Sequence, residues 1–365
     1  MFHIEKYNTI IIILLFIGII LIYIFYPSTI ESMENKYDED IESNPYLTTL
    51  IKHKDEKHFP FRYMQDENGD ILPIVCITAF FRDDKERVTL YDEYVNNNIQ
   101  IIGATMYKSF PRPITDTTGD SDTKNDSFNY YNIKDWLCCF KNNDRYGFNS
   151  SHNLIDISES DFYDADLEES VIEKKYDMIY SCLDDDEKTC PQNGWNAVNR
   201  NFDLFKKCLP IIINEFKMKV MILGRQNCGL EELYGDRVEI KPMLPYPEFQ
   251  QKLKESKILF IPNHYDASPR VISESIIKNV PVLMNENILC GSKYINHETG
   301  EFFTDEHNIR FALTQLLSRI NIISPKKWWI THYSRQKSGK KLRNFLYNCS
   351  KNKDVLENVQ EVYFI

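Results

Sequence analysis

Two acidic residues, Asp266 and Glu274, have types and a spacing that could carry chemistry. An apolar run over 258–262 predicts a strand before them, and 268–278 predicts a helix that contains Glu274. A carboxylate in such a helix can accept hydrogen bonds from two neighbouring hydroxyls, as in a ribose diol. Asp266, on the intervening loop, could contact sugar hydroxyls. Taken alone, the pair also fits an ordinary loop aspartate and a glutamate favoured by the helix dipole.

The start of the same helix predicts an anion site. Ser268 suits the N-cap position, and Pro269 suits the first turn, where its missing N–H is harmless. The remaining free N–H groups of this turn, together with the charge of Arg270, favour a negatively charged ligand.

Alternating strands and helices must position these residues. In the second half of the chain, strands are predicted over 176–182, 219–223, 238–240, 258–262 and 280–284, and helices over 199–215, 246–256, 268–278 and 308–320. The first half predicts strands over 71–80, 99–106 and 153–157, and helices over 86–96 and 133–140. This alternation indicates parallel sheets with right-handed crossovers, whose ligands bind at the carboxyl ends of strands.

The predicted fold is α/β, with two Rossmann-like domains of which the first is reduced. The predicted segments are a tail (1–8), a transmembrane anchor (9–27), a stalk (28–70), a first α/β domain (71–170), a second α/β domain (171–320) and a helical tail (321–365).

The anchor prediction depends on an almost wholly apolar run over 9–26, which Pro27 ends and an acidic stretch follows. About 17 apolar residues suffice to span a bilayer. A cleaved signal peptide is the alternative, but the run ends in aromatic residues rather than a small-residue cleavage site. We expect a single-pass protein with its body in a lumen, in the secretory pathway or at a viral or host membrane. Three glycosylation triplets fit this orientation, although such triplets are common by chance: Asn125, Asn149 and Asn348.

Charge and cysteine content exclude other classes. The net charge of -11 gives no general attraction to phosphate backbones, so nucleic acid is not expected as a partner. The 9 cysteines show no Cys-x-x-Cys spacing, which argues against structural zinc. Most are expected to be buried thiols, and a disulfide between Cys182 and Cys190 stays open.

Several motifs in order give the segment over about 176–317 a family resemblance. It resembles the donor-binding half of retaining glycosyltransferases of family 4, which have the GT-B fold. The matching stretches are Val220–Gly224, the acid-x7-acid pair Asp266 and Glu274, the loop Ala267–Ile272, the turn Asn279–Val282 and the stretch His297–Phe303. A further patch, Gly194-Trp195 with Asn199–Phe202, is similar to glycosyltransferase-like proteins of algae and large DNA viruses, and it fits a helix cap with a core aromatic residue equally well.

The resemblance implies roles for individual residues. Glu274 would bind the nucleotide ribose, Asp266 the donor sugar, and the amides at the helix start the diphosphate. The residues at that start are Ser268, Pro269, Arg270 and Val271. The family also uses an Arg and a Lys after the first strand of this domain, but the matching stretch, 181–188, contains no Arg. The candidate substitutes are Lys188, Arg200 and Arg225 beside Gly224.

The implied activity is retaining transfer of a hexosyl group from a nucleotide-sugar donor to a hydroxyl of a glycan, lipid or protein. No metal and no cofactor are expected; the donor phosphate itself takes the acceptor proton. Asp184-Asp185-Asp186 is a metal candidate, but this fold places no metal there. The alternative is an inactive, membrane-tethered binding or scaffold protein, favoured by the reduced first domain and the absent Arg. A nucleotide-sugar epimerase is a third, less favoured class.

Overall fold

The computed structural model describes residues 50, 59–107, 109–111, 126–141, 146–165, 172–186, 188–266, 269–350 and 353–364. The predicted anchor over 9–27 and the tail before it, together with Asn125 and Ser268, lie outside these residues. Within the described ranges, no helix combines the length and the apolar character needed to cross a membrane.

A six-stranded sheet forms the first half of the molecule, in the order β12-β1-β2-β3-β4-β5. Its strands are β1 (Phe61–Asp66), β2 (Ile71–Ile77), β3 (Gln100–Ala104), β4 (Asp135–Leu137), β5 (Asn153–Ile155) and β12 (Val362–Phe364). Strands β2 to β5 are parallel, whereas β1 runs antiparallel to both of its neighbours. Helix α1 (Lys85–Asn96) connects β2 to β3, and the Asp84 carboxylate caps its first amides.

The second half contains a fully parallel six-stranded sheet, in the order β11-β10-β9-β6-β7-β8. Its strands are β6 (Tyr176–Ser181), β7 (Val220–Leu223), β8 (Val238–Lys241), β9 (Ser256–Ile261), β10 (Val282–Asn285) and β11 (Gly300–Phe303). The central strands are continuous apolar runs because helices cover both faces of the sheet.

Six helices accompany the second sheet: α2 (Trp195–Asn199), α3 (Phe202–Pro210), α4 (Leu230–Tyr234), α5 (Tyr246–Lys254), α6 (Arg270–Ile277) and α7 (Ile309–Arg319). The helix predicted over 199–215 is therefore interrupted. Its last part, Ile211–Glu215, is a π-helical turn that follows Pro210.

The C-terminal segment returns to the first half. Helices α8 (Pro325–His332), α9 (Arg335–Cys349) and α10 (Lys353–Glu357) lead into β12, which pairs with β1 through Met64 and Phe364. The expectation of a purely helical tail over 321–365 is thus wrong at its end. Trp329 of α8 is fully buried, and its indole N–H donates to the Tyr163 carbonyl at 2.9 Å.

Two further expectations about the first half are wrong. The predicted stalk over 28–70 contains β1, whose alternate apolar side chains complete the first core. The helix predicted over 133–140 is instead strand β4. Trp136 is fully buried there, and Gly103 on β3 leaves room for its ring, since a Cβ at Gly103 would lie 2.4 Å from the indole. Packing between neighbouring strands overrides the local helical pattern.

The loops after β6 and β7 are joined by a disulfide between Cys190 and Cys228. The pairing of Cys182 with Cys190 that the sequence left open is not formed, because Cys182 is a buried free thiol at the end of β6. Its sulfur accepts a hydrogen bond from Arg225 Nε at 3.1 Å.

Replacing Cys190 and Cys228 together by Ala is expected to lower the free energy of unfolding by about 2–4 kcal/mol, because the crosslink restricts the unfolded chain. Urea unfolding measures the change. Cys349→Ala, which removes a free and partly exposed thiol, is the control and should shift stability by less than about 1 kcal/mol. Equal unfolding midpoints for the wild type with and without a reductant would contradict the prediction.

Candidate functional site

The order of the second sheet defines a crevice between β6 and β9. From β6 the chain proceeds to β7 and β8 on one side, whereas β9, β10 and β11 follow on the other side. The loops after β6 and β9 therefore diverge at the carboxyl edge of the sheet. Ligands of open α/β sheets bind at such a switch point.

Asp266 lies in the loop after β9 and is held from two sides. It forms an ion pair with Arg200, at the end of α2, and it accepts a hydrogen bond from Asn263 Nδ2 at 2.9 Å. The Asp266 side chain is 10% exposed, and that of Arg200 is 33% exposed. The segments that follow β6 and β9 are thus joined by opposite charges, and solvent still reaches both side chains.

Glu274 occupies the second turn of α6 and is only 6% exposed. The Tyr163 hydroxyl donates to Oε1 at 3.3 Å, and Gln250 Nε2 donates to Oε2 at 3.2 Å. Burial raises the pKa of Glu274, while the hydrogen bonds and the charge of Arg270 act in the opposite direction. Burial and the neighbouring carboxylate also raise the pKa of Tyr163 to about 12.

Helix α6 is held in place by its apolar face, which packs in the core, and its polar face carries Arg270 and Glu274. Ile272, Ile276 and Ile277 pack against the strands of the second sheet. Pro269 is buried at the helix start, while Arg270 is exposed and Val271 is half-buried. Arg270 and Glu274 are four residues apart, so they lie on one face of the helix.

Gly224 and Arg225 have structural roles at the end of β7. A Cβ at Gly224 would lie 2.1 Å from the Cys182 carbonyl oxygen, and the φ of +86° also favours glycine. Arg225 is fully buried and donates to Asp185 Oδ2 at 2.6 Å and to the Pro191 carbonyl at 3.1 Å.

The Arg225 guanidinium donates its hydrogen bonds inside the protein, so its predicted contact with a nucleotide stays a prediction that these bonds do not favour. Its partner Asp185 also caps α2, accepting from the Asn196 and Ala197 amides at 2.6 and 3.1 Å. Both carboxylate oxygens of Asp185 thus accept hydrogen bonds within the protein, which argues against this residue as a metal ligand in the stretch 184–186. Lys188 is exposed on the loop after β6.

Among the residues that contact the predicted acids, sequence reasoning missed Asn263, Gln250 and Tyr163. Asn263 lies two residues after the end of β9, and its place just beyond a strand end was a usable signal. Gln250 lies on α5, one helical turn after Tyr246. Tyr163 carried no signal, because it lies between the two sheets and reaches Glu274 only through the tertiary fold.

The architecture is similar to that of solved glycosyltransferases of the GT-B fold. TarM matches with a TM-score of 0.55 at 14% identity, covering 82% of this chain and 58% of that chain. Sucrose-phosphate synthase from Thermosynechococcus elongatus matches with a TM-score of 0.50 at 12% identity, covering 85% and 79%. The lipopolysaccharide outer core galactosyltransferase WaaB gives 0.50 at 12% identity, covering 75% of each chain.

No family model and no curated protein matches the sequence. The chain spans little more than half the length of the first solved structures that it matches, 53% of an S. aureus TarM variant and 58% of TarM. At these identities the likeness establishes the fold. The expectation of an α/β fold with two sheets rich in parallel strands is confirmed, and these sheets are consistent with Rossmann-like domains of the GT-B kind.

Glu274→Gln is expected to gain stability over the wild type as pH rises from about 4 to about 7. Burial raises the pKa of Glu274 above its ordinary 4.5, so the folded protein binds this proton more tightly than the unfolded chain does. The wild type therefore has the full stability from the protonated Glu274 at low pH and loses it as pH rises and the acid ionises. Gln does not ionise. Thermal melting across this pH range measures the difference. Glu298→Gln, at an exposed position, should show no such trend, and a difference that shrinks with rising pH contradicts the prediction.

Arg225→Met is expected to destabilise the protein by about 3 kcal/mol, because it leaves the Asp185 carboxylate without its buried partner. Urea unfolding measures the loss. The matched control is Arg310→Met, which breaks an exposed ion pair with Glu215 and should cost much less stability, because solvent screens that pair. Similar losses of stability in both variants would show that the buried pair of Arg225 and Asp185 contributes no more than an exposed ion pair.

Proposed function

We propose that this protein is a glycosyltransferase that moves a hexosyl group from a nucleotide-sugar donor to an acceptor hydroxyl, with retention and without a metal ion. The observation that supports the proposal most is the placement of Asp266 and Glu274. Both follow β9 at the switch point of a GT-B-like sheet, one on the loop and one on the helix. That is the location at which the family 4 resemblance expects a sugar contact and a ribose contact.

Glu274 would bind the nucleotide through its ribose. Its two oxygens already accept hydrogen bonds from Tyr163 and Gln250, so the geometry suits two donors at once. A ribose diol would replace one or both of these donors. The carboxylate would then remain satisfied, which offsets the cost of keeping a charge in a buried position.

Asp266 would orient the donor sugar. Arg200 and Asn263 fix its carboxylate, so a hydroxyl of the sugar would meet an acceptor with a set direction. Arg200 and Arg270 would compensate the diphosphate charge that develops as the anomeric carbon–oxygen bond breaks. The acceptor oxygen forms the new bond to that carbon, and its proton passes to the departing phosphate oxygen.

An inactive binding protein is the second candidate function. The observation in its favour is the small exposure of Glu274, which Tyr163 and Gln250 cover. In that case the site would keep its shape without admitting a donor.

We also propose that the protein is a single-pass membrane protein with this body in a lumen. The disulfide between Cys190 and Cys228 supports an oxidising compartment, because such bonds rarely persist in the cytosol. The apolar run over 9–26 supports the anchor.

Calorimetric titration of the full chain with uridine, guanosine and adenosine diphosphates tests the proposal. At least one is expected to bind, and Glu274→Ala should weaken it by about tenfold or more, because hydrogen bonds to a charged group are lost. Asp266→Asn should reduce the hydrolysis of the matching nucleotide sugar by more than about tenfold while nucleotide affinity stays within about threefold. A chelator should leave the hydrolysis unchanged.

Glu298→Ala is the matched control, since it removes an exposed carboxylate from the same half of the molecule. If none of the three nucleotides binds to the wild type, the enzyme proposal is wrong and the binding protein is favoured. Binding that survives Glu274→Ala would leave the nucleotide without the proposed ribose contact.

A further inference from the structure

A cavity of about 330 Å³ lies beside the Tyr163–Glu274 contact. Its lining includes three arginines from separate parts of the chain: Arg62 of β1, Arg270 of α6 and Arg335 of α9. This volume is at the lower end of the range for small-molecule sites, about 300–1,000 Å³. The cavity is therefore large enough for a ligand of one sugar unit, and cationic side chains surround it.

The charges in the cavity are only partly neutralised. Arg62 Nη2 lies 2.6 Å from Glu159 Oε1, so one arginine is paired. Neither Arg270 nor Arg335 forms an ion pair with a carboxylate among the described residues. Arg335 lies over the Tyr363 ring instead, with Cζ 4.4 Å from the ring centroid. The exposed Arg335 guanidinium can therefore still bind a planar anion through two parallel hydrogen bonds, whereas Arg270, which the proposed function assigns to the diphosphate, adds only its positive charge.

The position of the cavity assigns it to the acceptor side of the cleft. Arg62 of β1 is the partner of Cys76, which lies near the carboxyl end of β2. This wall of the cavity therefore lies at the carboxyl edge of the parallel strands of the first sheet. The strand β12 adds Tyr363 and Phe364 to the same wall. Only Arg270 comes from the second sheet's helices. Tyr163 belongs to the lining and also touches Glu274, so the cavity and the proposed ribose contact are neighbours.

We propose that this three-arginine cavity binds an anionic group of the acceptor, a phosphate or a carboxylate carried by a sugar. The role of this ligand as an acceptor rests on the proposed glycosyl transfer. The binding of an anionic sugar in the cavity does not depend on that activity. Aromatic walls and guanidinium groups together suit a charged sugar, because the rings contact its apolar faces while the arginines bind its anion.

Titration of the full chain with glucose 6-phosphate, glucuronate and glucose tests the assignment. One or both charged sugars are expected to bind about tenfold more tightly than glucose, and the ratio between them identifies phosphate or carboxylate as the preferred group. Arg335→Gln should weaken that binding by about tenfold, and Arg62→Gln should act in the same direction. Arg310→Gln, at an exposed arginine outside the cavity, should have no effect.

Thermal melting of each variant shows whether it folds. If Arg335→Gln does not fold, Arg62→Gln provides the test in its place. Equal affinity for charged and neutral sugars overturns the inference, as does unchanged binding in both variants. Nucleotide diphosphate affinity should be unaffected by either variant. If it falls as much as that of the charged sugar, the cavity belongs to the donor and the assignment is wrong. If no nucleotide binds but the charged sugar does, the glycosyl transfer fails while the anion site stands.

Discussion

The pairing of β6 with β9 is the constraint on which the rest of the candidate site depends. Those two strands are neighbours in the sheet although the chain makes two other strands between them. Their loops must therefore leave in opposite directions and open a crevice. The ion pair of Arg200 with Asp266 spans that crevice, and a hydrogen bond from the His264 amide to the Asn199 carbonyl accompanies it. The strand order thus produces the crevice, and the ion pair and the backbone hydrogen bond join its two sides.

Two arginines of the second half, Arg225 and Arg200, differ in burial and therefore in role. Arg225 has its donors satisfied by a carboxylate, a carbonyl and a thiol, and it stacks on Phe202 with 4.9 Å from Cζ to the ring centroid. It serves the loop after β7 and the cap of α2. Arg200 keeps a third of its side chain in solvent, so it can hold Asp266 and still meet a ligand. Residue type alone could not separate the two roles.

The sequence predicted the second half well because its strands are apolar runs with clear helical neighbours. The order of motifs from β7 to β11 placed Asp266 and Glu274 correctly on the loop and helix after β9. The first half was harder to predict. β4 is only three residues long, and its Trp136 is recognisable as a strand residue only once Gly103 lies opposite. Tyr163 and β12 act through contacts between residues far apart in the chain, which no local pattern reports.

The pairing of β1 with β12 has a consequence for how the molecule is made. Met64 and Phe364 are partners although on the order of 300 residues separate them, so this edge of the first sheet closes only after the second sheet's residues have been synthesised. Until then β1 has one unpaired side, and the arginine from α9 is missing from the cavity wall. During translation the second sheet can form as a unit before the first is complete. In the nascent chain the crevice between β6 and β9 can therefore form before the three-arginine cavity is complete.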